Sequence, residues 1–145
     1  MYLLDTNVVS ELRKPKPHGG VIAWIQSAPD DQLFISALTL GELQAGAERT
    51  RRQGQEKAEA IEAWINQLSE AYEIIPMDAG MFREWARLME GRSDDLVEDA
   101  MIAATARVRG LIVATRNVRD FRGLAVEVFN PFTRKIQDQA WPGRS

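Results

Sequence analysis

Four acidic residues have the type and placement to do chemistry: Asp5, Glu42, Asp99 and Asp120. Asp5 ends an apolar run that starts at Met1, and Glu42 lies near the start of a helical stretch after the apolar run Leu33-Phe34-Ile35-Ser36. Asp99 sits one turn into a helix that begins near Asp95, and Asp120 follows a further apolar run, in Thr115-Arg116-Asn117-Val118-Arg119-Asp120-Phe121. A carboxylate beside apolar backbone needs a cation, a donor or water. Converging carboxylates repel one another unless something cationic sits among them, and an all-oxygen, histidine-free cluster suits a hard divalent ion such as magnesium or manganese. Such a site supports in-line phosphoryl displacement by lowering the pKa of bound water and stabilising the charge that builds on the phosphoryl oxygens. No side-chain nucleophile is required.

Each acid also has a plainer reading. Asp5 could cap the turn at Thr6, Glu42 could face solvent, Asp99 could pair with an arginine, and Asp120 could be a turn residue. Asp99 resists this most, because the neighbouring Ala100-Met101-Ile102-Ala103-Ala104-Thr105-Ala106 is apolar nearly all round and therefore buried. Other chemistries lack their parts. The one histidine, His18, lies between Pro17 and Gly19 in what reads as a flexible loop, so a Ser-His-Asp arrangement has little to draw on. There is no cysteine, no Walker-type glycine loop and no G-x-G-x-x-G. Two carboxylates could serve a glycosidase, but more than two at element ends argue for a metal.

The acids must be positioned by a framework, and the chain supplies one. Apolar runs at the N-terminus, 32–36, 72–75, 111–115 and 126–129 predict five strands. Helical periodicity predicts a short turn over 7–12, a helix to Pro29 with Val21, Ile22 and Ile25 inward, and a hairpin of 37–52 and 55–70. A helix capped by Asp78 should turn Met81, Phe82, Trp85, Leu88 and Met89 inward, and Asp95 to Glu98 resembles a capping box opening a helix closed by Gly110. Strands alternating with helices predict a three-layer α/β domain with a mainly parallel sheet, whose C-terminal edge is where such folds place ligands. If the first, second and fourth strands are neighbours, all four acids face one crevice. The expected domain covers 1–132, and 133–145 is expected to be a loosely ordered arm.

With 145 residues, 45% apolar and 27% charged, the chain is long enough for one real core. No apolar run reaches the ~18 residues of a membrane span, and a cysteine-free chain without a leader-like start suits the cytoplasm. The net charge of −3 does not announce a nucleic-acid binder. Three local basic groups, Arg13-Lys14-Pro15-Lys16, Arg49-Thr50-Arg51-Arg52 and Arg116/Arg119/Arg122, could nonetheless touch phosphate or simply be solvated.

Taken in order, Leu3-Leu4-Asp5-Thr6-Asn7, the S-x-L-T-x-G-E run from Ser36 to Glu42, Asp99-x-x-Ile-Ala-Ala-Thr-Ala and Thr115-Arg-Asn-x-x-Asp-Phe121 resemble PIN-domain ribonuclease toxins of the VapC type and their FitB-like relatives. The likeness runs from residue 1 to about 132. It implies a PIN-like fold and a Mg²⁺-dependent endoribonuclease, Mn²⁺ being a possible substitute, that is the toxin of a type II toxin–antitoxin pair. It also implies a protein antitoxin that blocks the site, and a homodimer. By position, Asp5 and Asp99 would be the principal metal ligands, Glu42 a further acid, and Thr6 and Ser36 polar neighbours of the pocket. Many relatives carry an acid where Asn117 stands; here the acid is Asp120, three residues on. Asp94 and Asp95 are candidate substitutes, with a plainer reading as helix caps.

The expected mechanism has Asp5 and Asp99 hold the metal, Glu42 orient or deprotonate water, Asn117 or Asp120 complete the outer coordination, and Thr115, Arg116 and Arg119 flank the RNA. Two rival readings remain: a toxin-like regulatory protein that holds its antitoxin on operator DNA with little nuclease activity, and a DNA nuclease or phosphatase using the same metals. A partner or dimer face is expected near Leu38, Leu40, Leu43, Ala47 and the Ala58 to Leu68 stripe, although those residues could equally pack the two helices together.

Overall fold

A computed structural model describes residues 1–133. Five short strands, β1 (Tyr2–Leu4), β2 (Leu33–Ser36), β3 (Glu73–Ile75), β4 (Ile112–Ala114) and β5 (Val128–Phe129), form one sheet in the order β3-β2-β1-β4-β5. Every pairing is parallel, and Leu3 registers with Phe34 on one side and Val113 on the other. The first strand is therefore central, flanked by β2 and β4. The expected arm lies outside the described residues from 134 onward.

The strands read as continuous apolar runs because helices cover both faces. Leu3, Phe34, Ile75 and Val113 turn to one face, where they meet Met81 and Leu88 of α5 (Ala79–Met89) and the buried alanines and Ile102 of α6 (Val97–Arg109). Tyr2, Leu4, Leu33, Ile35 and Ala114 turn to the other. There they meet Val8 and Val9 of α1 (Thr6–Val9), Val21 and Trp24 of α2 (Gly19–Ser27), and Leu68 of α4 (Gln55–Ala71). Trp24 packs edge-on against Tyr2 at 5.1 Å between ring centroids and lies 5.2 Å from Phe129. Its burial extends the expected inward face of α2 beyond Val21, Ile22 and Ile25.

Helix α3 (Ala37–Arg51) begins directly at the end of β2, and it packs along α4 as the expected hairpin. Much of the apolar stripe proposed for a partner is used internally: Ala47, Ala58, Ile65 and Leu68 are buried, and Leu38, Leu40 and Leu43 pack on the two cores. Arg51 binds Glu48 and Glu62, tying the end of α3 to α4.

Three local expectations are corrected. Phe82 is 45% exposed rather than inward. Met81 and Leu88 already fill the helix face toward the sheet, while Trp85 reaches α6 through a hydrogen bond from its indole N–H to the Val97 carbonyl. No Asp95 capping box opens α6; Ser93 caps a 3₁₀ turn over Asp94–Leu96 that runs into the helix, and the side chain of Leu96 offers no cap. His18 is no loose loop residue, since its Nδ1 accepts from the Val21 N–H and caps α2. Its own N–H donates to the buried Glu11. Gly110 closes α6 in the left-handed region at φ 67°, as expected.

Candidate functional site

The strand order decides which residues can meet. Because β1 lies between β2 and β4, the segments leaving their C-terminal ends are neighbours in space: Asp5 after β1, Ser36 and α3 after β2, and Thr115 after β4. A cleft of about 360 Å³ opens there, lined by Asp5, Thr6, Asn7, Glu42, Glu98, Asp99 and Asn117, among others.

Asp5 is 7% exposed and held by three donors. Its Oδ1 accepts from the Thr6 N–H at 2.8 Å, and its Oδ2 accepts from the Thr115 hydroxyl at 2.8 Å and from Asn7 Nδ2 at 3.3 Å. The plain reading of Asp5 as the cap of α1 is thus also true, since one oxygen caps and the other faces Thr115. The fully buried Thr115 hydroxyl accepts in turn from Asn7 Nδ2 at 3.2 Å and from the Asn117 N–H at 3.0 Å, which uses all its capacity. Asn7 Oδ1 accepts the Arg116 N–H at 3.0 Å. The loop after β4 is therefore stitched to the turn after β1.

Glu42 and Asp99 come from two different helices. The Thr6 hydroxyl lies 3.1 Å from Glu42 Oε1 and 3.2 Å from Thr39 Oγ1, so the first turn of α1 fixes an acid on α3. Burial, then the charge of Glu98, push the Glu42 carboxyl up to about 7. Burial, then the charges of Asp5, Asp120 and Glu98, push Asp99 up to about 6. Asp5 is also raised, mainly by burial, against the pull of its three hydrogen bonds. These are acids short of positive charge.

Among the described residues, no three carboxylates or histidines are gathered tightly enough to form a ready-made coordination shell. The donor chemistry nonetheless fits a hard divalent cation: the cleft offers carboxylate, hydroxyl and amide oxygens without histidine, and a cation would offset both the burial and the mutual repulsion that raise these pKa values.

Not every expected residue lines the cleft. Asn117 does; Asp120 stands in an exposed 3₁₀ turn beyond it, close enough for its charge to bear on Asp5 and Asp99. Ser36 is fully buried, and its hydroxyl accepts from the Leu38 N–H, so it starts the helix that carries Glu42 without facing the cleft. Arg116 and Arg119 are exposed on the loop after β4, with the Arg116 guanidinium 3.9 Å from the centre of the Phe132 ring. Asp94 and Asp95 are exposed in the 3₁₀ turn and do not line the cleft.

Glu98 is a site residue not expected from the sequence: there it resembles the end of a cap, yet it lines the cleft and is the strongest charge acting on Glu42. Its position next to Asp99 at the start of a buried helix was the available signal.

The family model described as PIN domain matches residues 2–127. The VapC ribonuclease Y4jK of Sinorhizobium fredii is 35% identical over 91% of this chain and 98% of its own. Toxin FitB of Neisseria gonorrhoeae is 36% identical, with 91% and 99% covered. Among solved structures, that of FitAcB from Neisseria gonorrhoeae superposes with a TM-score of 0.82 at 32% identity, covering 92% of this chain and all of the other. The structure of FitAB bound to an IR36 DNA fragment gives 0.81 at 30%, covering 93% and 98%. A parallel sheet that gathers acids at the ends of β1, α3 and α6, matched over nearly the whole chain by such relatives, places this protein in the PIN-domain family, among its VapC- and FitB-like members.

Proposed function

We propose that the protein is the toxin of a type II toxin–antitoxin pair, a divalent-metal-dependent endoribonuclease acting in the cytoplasm. The observation that carries this reading is the convergence of Asp5, Glu42 and Asp99, from three separate segments, on one cleft at the C-terminal edge of the sheet. Asp5 and Asp99 would hold Mg²⁺ or Mn²⁺, with Glu42 beside them. When bound, the ion supplies charge neutralisation at the scissile phosphate and a more acidic water.

The chain's own residues do the rest. Three donors fix the Asp5 carboxylate, so its orientation costs little entropy when a ligand arrives. Glu42, with a pKa near neutrality in the free protein and its Oε1 anchored by Thr6, can accept a proton from the attacking water. Water then attacks the phosphorus in line, leaving a 5′-phosphate and a 3′-hydroxyl. Asn117 completes the polar wall, and Asp120 contributes charge from outside it. Arg116 and Arg119 would steer the RNA backbone past the cleft.

An antitoxin protein as inhibitor belongs to the same reading, supported by similar structures that are complexes such as FitAB, and a second copy of the chain as dimer partner is proposed with it. The test is incubation of antitoxin-free protein with total RNA in Mg²⁺ or Mn²⁺, against EDTA and Asp99→Asn controls. Fragments lost in both controls are expected; an intact RNA pool with folded protein refutes the enzyme. A regulatory protein that binds antitoxin on operator DNA is the second reading, favoured by one observation: the polar residue lining the cleft after β4 is the uncharged Asn117.

A further inference from the structure

The acid cleft does not end at Glu42. Thr6, Ser10, Glu42 and Glu98 also line a second, larger cavity of about 710 Å³ between the turn after α1 and the α3–α4 hairpin. Its far walls differ in kind from the acid end. Leu43, Ile61 and Trp64 are apolar and only partly buried, while Arg13, Lys14 and Arg49 bring positive charge. Lys14 is bound to Glu11. Arg13 and Arg49 have no carboxylate partner among the described residues, whereas Arg51, two residues on, is engaged by Glu48 and Glu62. Of these basic residues, the two left unpaired are therefore ones that face the cavity. Beside Arg49, Ala45 and Gly46 keep the α3 wall low; a Cβ on Gly46 would meet only the Arg49 guanidinium, at 3.7 Å.

An apolar wall with one large aromatic, two unpaired arginines and direct continuity with a phosphate-cleaving cleft is what a single-stranded nucleotide requires: a face for the base and cations for the backbone. The volume lies within the range of sites that enclose molecules of nucleotide size. We propose that this cavity is a nucleotide subsite, seating an unpaired RNA base next to the scissile phosphate against Trp64 and Ile61, with Arg13 and Arg49 on the adjoining phosphate. This rests on the ribonuclease reading and extends it, because the base held here would choose where the strand is cut.

The test uses the full chain in two forms. In the Asp5→Asn variant, short single-stranded RNA of mixed sequence is titrated while the indole N–H resonance of Trp64, assigned by Trp64→Phe, is followed by NMR. The expected result is a saturable shift of that resonance, and loss of about one from the salt slope of binding when the exposed Arg49 is changed to alanine. In the active protein, cut positions are mapped on a random-sequence RNA. Trp64→Leu should flatten the base preference at one position beside the cut and raise KM about tenfold; Arg49→Ala, at a surface position, guards against a folding artefact and should raise KM alone. RNA that is bound and cut with the Trp64 resonance unmoved and the cut map unchanged overturns the subsite and leaves the ribonuclease standing. The same holds if a protein partner fills the cavity while the cut map ignores both substitutions. Absence of any RNA cleavage or binding overturns both.

Discussion

Replacing Asp99 by asparagine should make the metal-free protein more stable at pH 8 while destroying its activity. Asparagine keeps the shape and removes the charge that burial first, and then Asp5, Asp120 and Glu98, oppose. Asp99 titrates at about 6 in the fold against 3.8 unperturbed, and each tenfold change in proton affinity corresponds to about 1.4 kcal/mol, which gives about 3 kcal/mol. The side chain is only part-buried, so water screens some of this and about 2 kcal/mol is expected. The sign follows from linkage. A raised folded pKa means the folded state holds its proton more tightly, so the stabilisation is complete below pH 4 and is lost as pH rises through 6. Wild type and Asp99→Asn should match at pH 4 and diverge to about 2 kcal/mol in favour of the variant at pH 8. Glu11, whose carboxyl is lowered by Lys14 and the His18 N–H, titrates with the opposite sign, but it is common to both chains and cancels in the difference. Urea denaturation in EDTA across pH 4 to 8 measures this directly. A variant less stable than wild type at pH 8 would refute the electrostatic argument, and adding Mg²⁺ should reverse the order by stabilising only the wild type.

Asp5→Asn should abolish RNA cleavage with an unchanged circular dichroism spectrum, because the single amide oxygen can still accept from the Thr6 N–H and cap α1; cleavage at the wild-type rate would remove Asp5 from the mechanism. Thr115→Val strips a buried hydroxyl that serves Asp5, Asn7 and Asn117 together, so about 2 kcal/mol of stability should be lost, with a larger loss of kcat than of RNA affinity. Glu98→Gln should bring the pKa of Glu42 down from about 7, seen as an acid-side shift in the pH–rate profile; an unmoved profile would separate Glu98 from the site. Trp24→Ala, which empties a buried site against Tyr2 and Phe129, should cost about 3–5 kcal/mol by denaturant titration.

Much of this protein is legible one segment at a time. Apolar runs ending at Asp5, Ser36 and Thr115 marked the three central strands, and helical periodicity marked the hairpin and α6, because burial on one or both faces imposes its own period on the sequence. The same local reading identified Asp5, Glu42 and Asp99, since a carboxylate at the edge of an apolar run is a costly choice that needs a reason. Long-range placement was not legible. The hydrogen bond from Thr115 to Asp5 joins residues 110 apart and exists because β4, rather than another strand, pairs with β1. Asp120 was left outside the cleft that Asn117 lines, and Phe82 was left at the surface, each by packing choices that no local period records. Glu98 shows the difference most directly: in sequence it resembles a cap, and only the approach of α3 to α6 makes it the neighbour of Glu42. Residue type and period set which elements form and which side chains are costly; pairing order and helix packing set which of those side chains share a field, because Coulomb energy depends on distance in space and the chain order does not encode it.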